Sequence, residues 1–273
     1  AVDVHLHTGA PDPKAVARAV QADTVGLVTT HLHGDAVDLA ELDEWRASRG
    51  LWLIEDCAQA FGASGDGIPV GSTGDLATFS FYPTKPLGSV GDGGAIAARG
   101  ARAPELLARV RELREYGWTT ERFRLDLPGG RNSRLDALHA AVLSARLRFA
   151  APAAARRRLI RRRYAEALAS DRGATVLGND SVQSAAHHAV VLAVTPAERD
   201  DLRSTLGTAG VGTSVHYPWL VSEMAGLDAR VAEVGSPVAA ERRARILSLP
   251  CDAALRDDEI DVVVLALERW SHG

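Results

Sequence analysis

The chain has 273 residues, of which 46% are hydrophobic and 24% charged, and its 31 Lys and Arg against 35 Asp and Glu leave a net charge of −4. This composition is typical of a globular protein of one large domain or two modest ones, and it argues against a basic surface for nucleic acid. No apolar run reaches membrane-spanning length, the first residues lack the pattern of a signal peptide, and two cysteines cannot form a disulfide framework. We therefore expect a cytoplasmic protein without a membrane or nucleic-acid partner.

The first half of the chain alternates short apolar runs with helical patterns. Apolar or β-branched runs predict strands at 25–30, 51–54, 77–81 and 94–98, and a helical stretch covers about 36–48. Near-continuous apolar runs separated by helices are typical of buried parallel strands. The sequence therefore predicts the α/β class with a mostly parallel sheet.

A different pattern begins near Asn132. The segment Ser133–Asp136 resembles a capping box and starts a long amphipathic helix. Pro152 is expected to kink or break this helix before a second one over 156–169. The arginines between 156 and 163 are more typical of a solvated helix face than of a nucleic-acid site.

The rest of the chain mixes strands and helices. Strands are predicted at 189–194 and 211–217, and helices at 199–209 and 257–269. The change of pattern predicts a large domain over 1–150 and a smaller α+β domain over 151–273, with the long helix between them.

Polar side chains gather after two of the predicted strands. Asp56 follows one strand, with Gln59 three residues further on, and Ser80 lies five residues before Lys85. Open α/β sheets bind ligands at the carboxyl ends of their strands. Lys85 is the only lysine after Lys14, and a desolvated lysine, unlike arginine, can give up its proton and form a Schiff base. Alone, Asp56 is more often a helix cap and a single lysine more often solvated surface, so the interpretation depends on these residues occurring together.

Several ordered motifs resemble one family. They are Ile54–Ala63, Thr78–Gly88, Gly91–Ala95, Gly130–Asp136, Val215–Pro218 and Leu247–Pro250. Together they resemble the DegT/StrS-type aminotransferases over essentially the whole chain. The resemblance implies a fold-type I enzyme that depends on pyridoxal phosphate (PLP). Such an enzyme moves an amino group from an amino acid, here expected to be glutamate, to a nucleotide-linked keto sugar or cyclitol.

The resemblance also implies roles for the residues around the cofactor. Lys85 matches the Schiff-base lysine, which as a free amine is also the general base for proton transfer. Asp56 matches the carboxylate that faces the pyridine nitrogen and keeps it protonated, so that the ring is an electron sink. Gln59 matches the residue against the ring face, and Ser80 matches a hydroxyl donor to the cofactor phosphate.

Three further residues are assigned by the same resemblance. Asn132 matches an asparagine that reaches the cofactor phosphate of the neighbouring subunit, which implies a homodimer with composite active sites. His216 and Tyr217 are expected near the substrate. The segment 129–136 is most similar to enzymes that act at the 3-position of dTDP-linked deoxyhexoses, which implies a role in antibiotic or glycan sugar biosynthesis.

The sequence departs from the family at its start. Family members carry an N-terminal segment whose helix start binds the cofactor phosphate, and we find no match for it here. We therefore expect the chain as given to bind PLP weakly, and a truncated, non-catalytic family member or partner subunit is an alternative interpretation.

A hypothesis from another class comes from the histidines. Asp3, His5 and His7 resemble the Asp-x-His-x-His start of metal-dependent amidohydrolases, and His31 and His33 repeat the spacing. Histidines at i and i+2 of a strand point to one face and could share a metal ion. No further His and Asp ligands follow at the ends of later strands, so a metal-dependent hydrolase is a remote alternative and we expect no metal.

Overall fold

The computed structural model describes residues 1–168, 172–178, 183–227, 231 and 235–272. The helices in these ranges are α1 (Pro13–Ala19), α2 (Ala40–Ala47), α3 (Ala103–Arg114), α4 (Ala137–Leu147), α5 (Ala150–Ala167), α6 (Pro196–Thr208), α7 (Pro237–Arg245) and α8 (Asp257–His272). The strands are β1 (Gly26–Thr30), β2 (Trp52–Asp56), β3 (Ser64–Gly65), β4 (Ile68–Pro69), β5 (Leu76–Ser80), β6 (Gly94–Ala98), β7 (Thr175–Leu177), β8 (Ala189–Leu192) and β9 (Ile246–Leu249). None of the helices described is both long and apolar enough to cross a membrane.

Four strands from the first half form one sheet in the order β1-β2-β5-β6. Strands β1, β2 and β5 run parallel, and β6 pairs antiparallel with β5. Asp56 is the register partner of Thr30 on one side and of Thr78 on the other, so these strands end at a common edge. This mixed, mostly parallel sheet confirms the predicted α/β class.

The second sheet, β7-β8-β9, is antiparallel. Helices α5, α6 and α8 contribute to the hydrophobic cluster built on it, in which Tyr164, Leu206, Leu247 and Leu267 are fully buried. Burying side chains of this size contributes about 1.5–3 kcal/mol each. The C-terminal part of the chain is therefore α+β, as the sequence predicts.

The long helix begins and breaks at other residues than predicted. Its N-cap is Asp136 rather than Ser133, because the Asp136 carboxylate accepts a hydrogen bond from the Leu138 N–H at 2.8 Å. The break between α4 and α5 comes before Pro152, which lies in the first turn of α5, where no intrahelical N–H bond is lost. The predicted helix end at 169 lies outside the described residues.

Two other predictions are wrong. The segment 211–217 is not a strand, because only a single bridge, between Ser214 and Ser248, joins it to β9. The arginine run over 156–163 is not a uniformly solvated face, because Arg157 and Arg161 are buried. Periodicity shows neither fact, since both depend on where the neighbouring elements pack.

Candidate active site

Asp56 is the last residue of β2 and lies half-buried at the common edge of the parallel strands. Its Oδ1 accepts a hydrogen bond from the Ala58 N–H at 3.0 Å. The carboxylate therefore closes the turn that leaves the strand. The helix-cap interpretation is wrong, because a turn and then β3 follow β2.

Gln59 joins this turn to two distant segments. Its buried side chain accepts a hydrogen bond from the His33 N–H at 2.7 Å and donates from Nε2 to the Tyr217 hydroxyl at 2.8 Å. The His33 Nε2 in turn donates to the His216 carbonyl oxygen at 2.9 Å, and the His216 Nδ1 lies 2.9 Å from the Ser248 hydroxyl. Gln59 and Tyr217 are thus fixed relative to each other.

Lys85 lies half-buried in the loop after β5 and lines a cleft of about 730 Å³ together with Asp56, Gln59 and Tyr217. The loop turns tightly, with the Lys85 N–H bound to the Tyr82 carbonyl oxygen at 2.9 Å. A Cβ on Gly88 would lie 2.3 Å from the Pro83 carbonyl oxygen, so the loop requires glycine there. Within the described part of the chain, Lys85 forms no ion pair with a carboxylate. Its amine is available for chemistry.

Ser80 and Asn132 lie outside the cleft that Lys85 lines. Ser80 ends β5 half-buried, and its hydroxyl accepts a hydrogen bond from the Tyr82 N–H at 3.3 Å. Asn132 lies exposed in a loop and forms a single bridge with Glu115. Neither is among the described residues that line the cleft of Lys85.

Four histidines form a cluster next to this site. The rings of His187 and His188 lie 4.1 Å apart between centroids, those of His188 and His216 4.2 Å, and those of His33 and His188 5.8 Å. His187 and His188 were not predicted as site residues from the sequence. The available signal was a pair of histidines directly before the apolar run of β8.

Burial keeps these imidazoles neutral. Burial, followed by the charge of Arg242, lowers the pKa of His33 to about 4. Burial and the charge of Lys85 lower the pKa of His187 to about 3, and burial and the neighbouring histidines lower that of His188 to about 2. At neutral pH the cluster therefore offers uncharged rings beside a lysine.

Apart from the histidine cluster, His31 and Glu55 form a buried hydrogen-bonded pair next to the site. The His31 Nε2 donates to the Glu55 carboxylate at 2.8 Å, and the His31 Nδ1 accepts from the Val37 N–H at 3.0 Å. Glu55 also accepts hydrogen bonds from the backbone N–H groups of Gly71, Thr73 and Gly74. Burial alone would raise the pKa of Glu55, but these hydrogen bonds, led by that from His31, lower it to about 2.

Of the described residues, only His31, Glu55 and Cys57 are close enough together to share a metal ion. Both ring nitrogens of His31 are used in hydrogen bonds, and Glu55 has four donors. Burial, followed by the charges of Glu55 and Asp56, raises the pKa of Cys57 to about 12. The group is therefore a hydrogen-bonded support for β2, with a thiol that is not a nucleophile.

The histidines near the N-terminus are not assembled as metal ligands. His5 and His7 are exposed in a loop. Asp3 is buried, and its carboxylate accepts hydrogen bonds from the N–H groups of Val238 and Ala239 at 3.2 and 2.9 Å. These residues give no support to the hydrolase hypothesis.

The fold and this site define a class of protein: a fold-type I α/β enzyme with a lysine in a cleft at the carboxyl edge of its sheet. The family is more specific. The model of the DegT/DnrJ/EryC1/StrS aminotransferase family matches residues 1–268, and the chain belongs to this family. The family is PLP-dependent, and the resemblance that the motifs indicated is confirmed.

Relatives that the chain matches over most of its length are named as sugar aminotransferases. The chain is 36% identical over 269 residues to a dTDP-3-amino-3,4,6-trideoxy-alpha-D-glucose transaminase from Micromonospora megalomicea subsp. nigra, covering 97% of this chain and 71% of that one. It is 32% identical over 274 residues to a UDP-N-acetyl-3-dehydro-alpha-D-glucosamine 3-aminotransferase from Acidithiobacillus ferrooxidans, covering 100% and 71%. The crystal structure of DesV from S. venezuelae superposes with a TM-score of 0.89 at 34% identity, covering 100% of this chain and 72% of that one.

The residues present fit a PLP cofactor. Lys85 forms no ion pair with a carboxylate among the described residues, and a carboxylate (Asp56) and an amide (Gln59) line the same cleft. The Lys85 amine can form a Schiff base with the aldehyde of PLP, and the Asp56 carboxylate can pair with its protonated pyridine nitrogen. The Gln59 amide is flat and polar and can lie against the ring.

Proposed function

We propose that this aminotransferase moves an amino group from glutamate to the 3-position of a keto sugar linked to a nucleoside diphosphate, with a dTDP-deoxyhexose as the first candidate. The observation that carries the proposal is Lys85 in one cleft with Asp56 and Gln59. The sugar and the position follow from the names of the relatives, of which one is a dTDP-sugar and another a UDP-sugar enzyme. A relative named L-glutamine:2-deoxy-scyllo-inosose aminotransferase, 43% identical over 42% of this chain, makes a cyclitol the next candidate.

In this proposal each side chain of the site has a defined role. Bound PLP supplies an electron sink for the carbon that loses its proton. The Lys85 amine holds the cofactor and, once free, moves the proton between carbon atoms. The Asp56 carboxylate keeps the pyridine nitrogen protonated, and Gln59, fixed by Tyr217, lies against the ring. Ser80 donates to the phosphate.

His216 and Tyr217 lie on the substrate side in this proposal. Tyr217 lines the cleft, and its hydroxyl already accepts the hydrogen bond from Gln59. The His216 ring is held by Ser248 and lies against the His188 ring at 4.2 Å between centroids. We assign both to binding of the sugar.

The test is Lys85→Ala, with Lys14→Ala as the matched control because Lys14 is exposed on α1. PLP is titrated into each variant, and the visible absorbance of the protein-linked cofactor and its loss on adding L-glutamate are followed. We expect both signals to disappear in Lys85→Ala and to stay in Lys14→Ala. An unchanged signal in Lys85→Ala would refute the assignment.

We further propose a homodimer in which Asn132 reaches the cofactor phosphate of the other subunit. Asn132 is exposed, and the surrounding stretch carries exposed large apolar side chains, among them Phe123 and Leu138 at 78% and 66% exposure. Large exposed apolar side chains in one stretch are a feature of many interfaces. Mixed Lys85→Ala and Asn132→Ala protomers should regain activity that neither has alone, whereas absence of recovery with proven subunit exchange would contradict shared sites.

We also propose that the domain boundary lies between 150 and 151, in the first turn of α5 and directly after the break that separates it from α4. The separate hydrophobic clusters of the two sheets support this division. A cytoplasmic location is proposed as well, and the two free cysteines, Cys57 and Cys251, support it. For nucleic acid and membranes we propose no role, in keeping with the net charge of −4.

A further inference from the structure

His33 lies in the short turn after β1 and is buried at 4% exposure, directly after Leu32, which lines the cleft of Lys85. Its φ of 61° lies in the left-handed region, which residues with a side chain adopt at a cost in free energy. A Cβ on the next residue, Gly34, would lie 2.5 Å from the His187 nitrogen, so the turn packs tightly against the segment before β8. The surrounding structure therefore holds His33 in one conformation.

His33 forms hydrogen bonds with three separate segments of the chain. Its N–H donates to the Gln59 Oε1 at 2.7 Å, and its carbonyl oxygen accepts from the His188 N–H at 3.1 Å. Its ring Nε2 donates to the His216 carbonyl oxygen at 2.9 Å. These segments follow β2, precede β8 and follow α6, so one residue fixes their positions relative to one another.

The donors and acceptors in this arrangement are determined by chemistry. A backbone N–H can only donate, so the Gln59 atom that meets the His33 N–H is the amide oxygen, and the amide nitrogen faces the Tyr217 hydroxyl at 2.8 Å. A carbonyl oxygen can only accept, so the His33 ring carries a proton on Nε2. The Tyr217 oxygen therefore accepts the hydrogen bond from Gln59.

The Tyr217 hydroxyl thus keeps a proton that it can donate. Among the described residues this hydroxyl has no partner other than Gln59. Tyr217 is 49% exposed and lines the same cleft as Lys85. A molecule that enters the cleft can therefore supply the acceptor.

We propose that His33 is a positioning residue, which holds Gln59 and the segment 216–217 so that the Tyr217 hydroxyl donates a hydrogen bond to an oxygen of the sugar substrate. This inference rests on the proposed function. A few polar groups held in fixed directions are what orients a small molecule in a cleft. His33 itself acts only through Gln59 and Tyr217.

An oxygen of the amino-acid donor could accept the same proton. The carboxylate of L-glutamate is an acceptor, and it enters the cleft in the other half of the reaction. The sugar is favoured because Tyr217 is the residue that we assign to sugar binding. The test separates the two acceptors by measuring sugar binding and the glutamate reaction independently.

The variants separate the His33 ring from its backbone. His33→Gln places an amide nitrogen about where the imidazole Nε2 lies, whereas His33→Leu offers no donor. Both keep the backbone N–H that bonds to Gln59, and both have the same left-handed backbone to adopt, so their difference measures the ring hydrogen bond. Tyr217→Phe removes the hydroxyl alone. His7→Leu is the control, because His7 is exposed in a loop.

The measurement is binding without turnover. The full chain loaded with PLP is titrated calorimetrically with dTDP and with dTDP-glucose, whose hexose carries an oxygen at every carbon that could bear the acceptor. The Kd of dTDP divided by that of dTDP-glucose reports the contacts of the sugar alone, and we call this quotient the sugar ratio.

We expect Tyr217→Phe and His33→Leu each to lower the sugar ratio about three- to tenfold, the usual effect of one lost hydrogen bond. The Kd of dTDP should stay within about twofold. His33→Gln and His7→Leu should change neither quantity by more than about twofold. Equal losses in His33→Leu and His33→Gln, or equal Kd values for dTDP and dTDP-glucose in the unaltered chain, would overturn the proposal.

The double variant of His33→Leu and Tyr217→Phe separates positioning from general support of the fold. If His33 acts through the Tyr217 hydroxyl, the double variant should have the same sugar ratio as Tyr217→Phe alone. Effects that multiply would mean that His33 acts independently of Tyr217, and the proposal would then be wrong.

The loss of cofactor absorbance on adding L-glutamate is followed in the same variants. His33→Leu and Tyr217→Phe should leave its rate within about twofold. A loss confined to this reaction would show that the hydroxyl serves the amino-acid donor, which contradicts the proposal. An unaltered chain without cofactor absorbance would refute the proposed function itself, whereas an unchanged sugar ratio in His33→Leu would refute the role of His33 alone.

Circular dichroism shows whether His33→Leu folds. Should it not fold, His33→Asn takes its place, because asparagine adopts the left-handed backbone readily but is too short to reach the His216 carbonyl oxygen. We expect the same three- to tenfold lower sugar ratio in His33→Asn. A ratio equal to that of the unaltered chain would overturn the proposal.

Discussion

Strands β8 and β9 of the C-terminal sheet are buried along their whole length, whereas the N-terminal sheet exposes Val28 on β1 and Ile96 on β6. The N-terminal sheet instead buries the hydrogen-bonded Glu55 at 1% exposure, with His31 at 1% exposure directly after β1. The first sheet thus depends on hydrogen bonds between buried polar groups and the second on apolar packing. The sheet that carries Lys85 and Asp56 is the polar one.

This difference has a physical reason. Apolar packing stabilises a fold without requiring that any donor or acceptor be satisfied, but it offers no group that can bind a cofactor or move a proton. A buried polar network holds strands rigidly only while every donor and acceptor is satisfied, so it is sensitive to single changes. In the N-terminal sheet, Glu55 accepts four hydrogen bonds and directly precedes Asp56 in β2, so these bonds fix the end of the strand that carries Asp56.

The largest effect on the apolar sheet is expected from Leu247→Ala. Leu247 is fully buried in the cluster of β8, β9 and the helices, and removing its side chain leaves a cavity that costs about 2–5 kcal/mol. Leu265→Ala is the matched control, because Leu265 is 53% exposed, and a cost within about 0.5 kcal/mol is expected. The measurement is the free energy of unfolding in denaturant. Equal costs at both positions would mean that the C-terminal sheet is not held by its core.

The corresponding change in the polar sheet is Glu55→Gln. The amide would present N–H groups to donors that now meet a carboxylate, so we expect a loss on the order of 3 kcal/mol at neutral pH. The pKa of Glu55, lowered to about 2, means that its contribution is present above pH about 4.5 and lost as the pH falls towards 2. Denaturation of the unaltered chain and the variant should converge in that range. A difference that persists below pH 2 would show that packing, not charge, is responsible.

Sequence reasoning was most successful where the signal is local. The apolar runs predicted β1, β2, β5 and β6 within a few residues, and the position of Asp56 at the end of a predicted strand placed it at the sheet edge, where it lines one cleft with Gln59 and Lys85. Contacts between distant segments left no such signal. The three-residue strand β7, the cap that Asp3 gives to α7 and the inward direction of Arg157 depend on tertiary packing, which a single periodic pattern does not encode.

The histidine cluster predicts how the stability of the protein changes with acid. Unfolded histidine binds a proton near pH 6.5, whereas His33, His187 and His188 have pKa values lowered to about 4, 3 and 2. Between those limits the unfolded state binds more protons, so stability falls as the pH is lowered from 6.5, by up to about 1.4 kcal/mol per pH unit for each histidine.

His188→Asn tests this expectation. It should reduce the slope of unfolding free energy against pH between 6.5 and 4 by up to about one quarter, since one of the four rings whose pKa burial lowers is lost. His5→Asn is the control, because His5 is exposed in a loop. The measurement is a series of denaturant titrations at half-unit pH steps. An identical slope in both variants would show that the His188 ring titrates in the folded protein as it does in the unfolded chain.

The smallest effect is expected where the N-terminal residues meet the C-terminal part. The first backbone N–H groups of α7 lack a local cap, because the Ser236 side chain makes no capping hydrogen bond, and Asp3 accepts from Val238 and Ala239 instead. Asp3→Ala should therefore cost about 0.5–2 kcal/mol, the usual range for a lost N-cap, and exposed Asp23→Ala should cost almost nothing.

Asp3→Ala also tests whether the two sheets unfold together or separately. Asp3 precedes β1 in the chain but stabilises a helix that leads directly into β9. If the molecule unfolds as one cooperative unit, tryptophan fluorescence and far-ultraviolet circular dichroism should give one shifted denaturant midpoint with an unchanged slope. If the sheets unfold separately, only the transition of the C-terminal sheet should move. We expect the single shift, because Arg242 of α7 is buried and donates to the Leu6 carbonyl oxygen, and Arg161 of α5 pairs with Asp35 next to the first sheet. These contacts tie residues on both sides of the proposed boundary together, so the polar sheet with its site should not unfold while the apolar sheet remains intact.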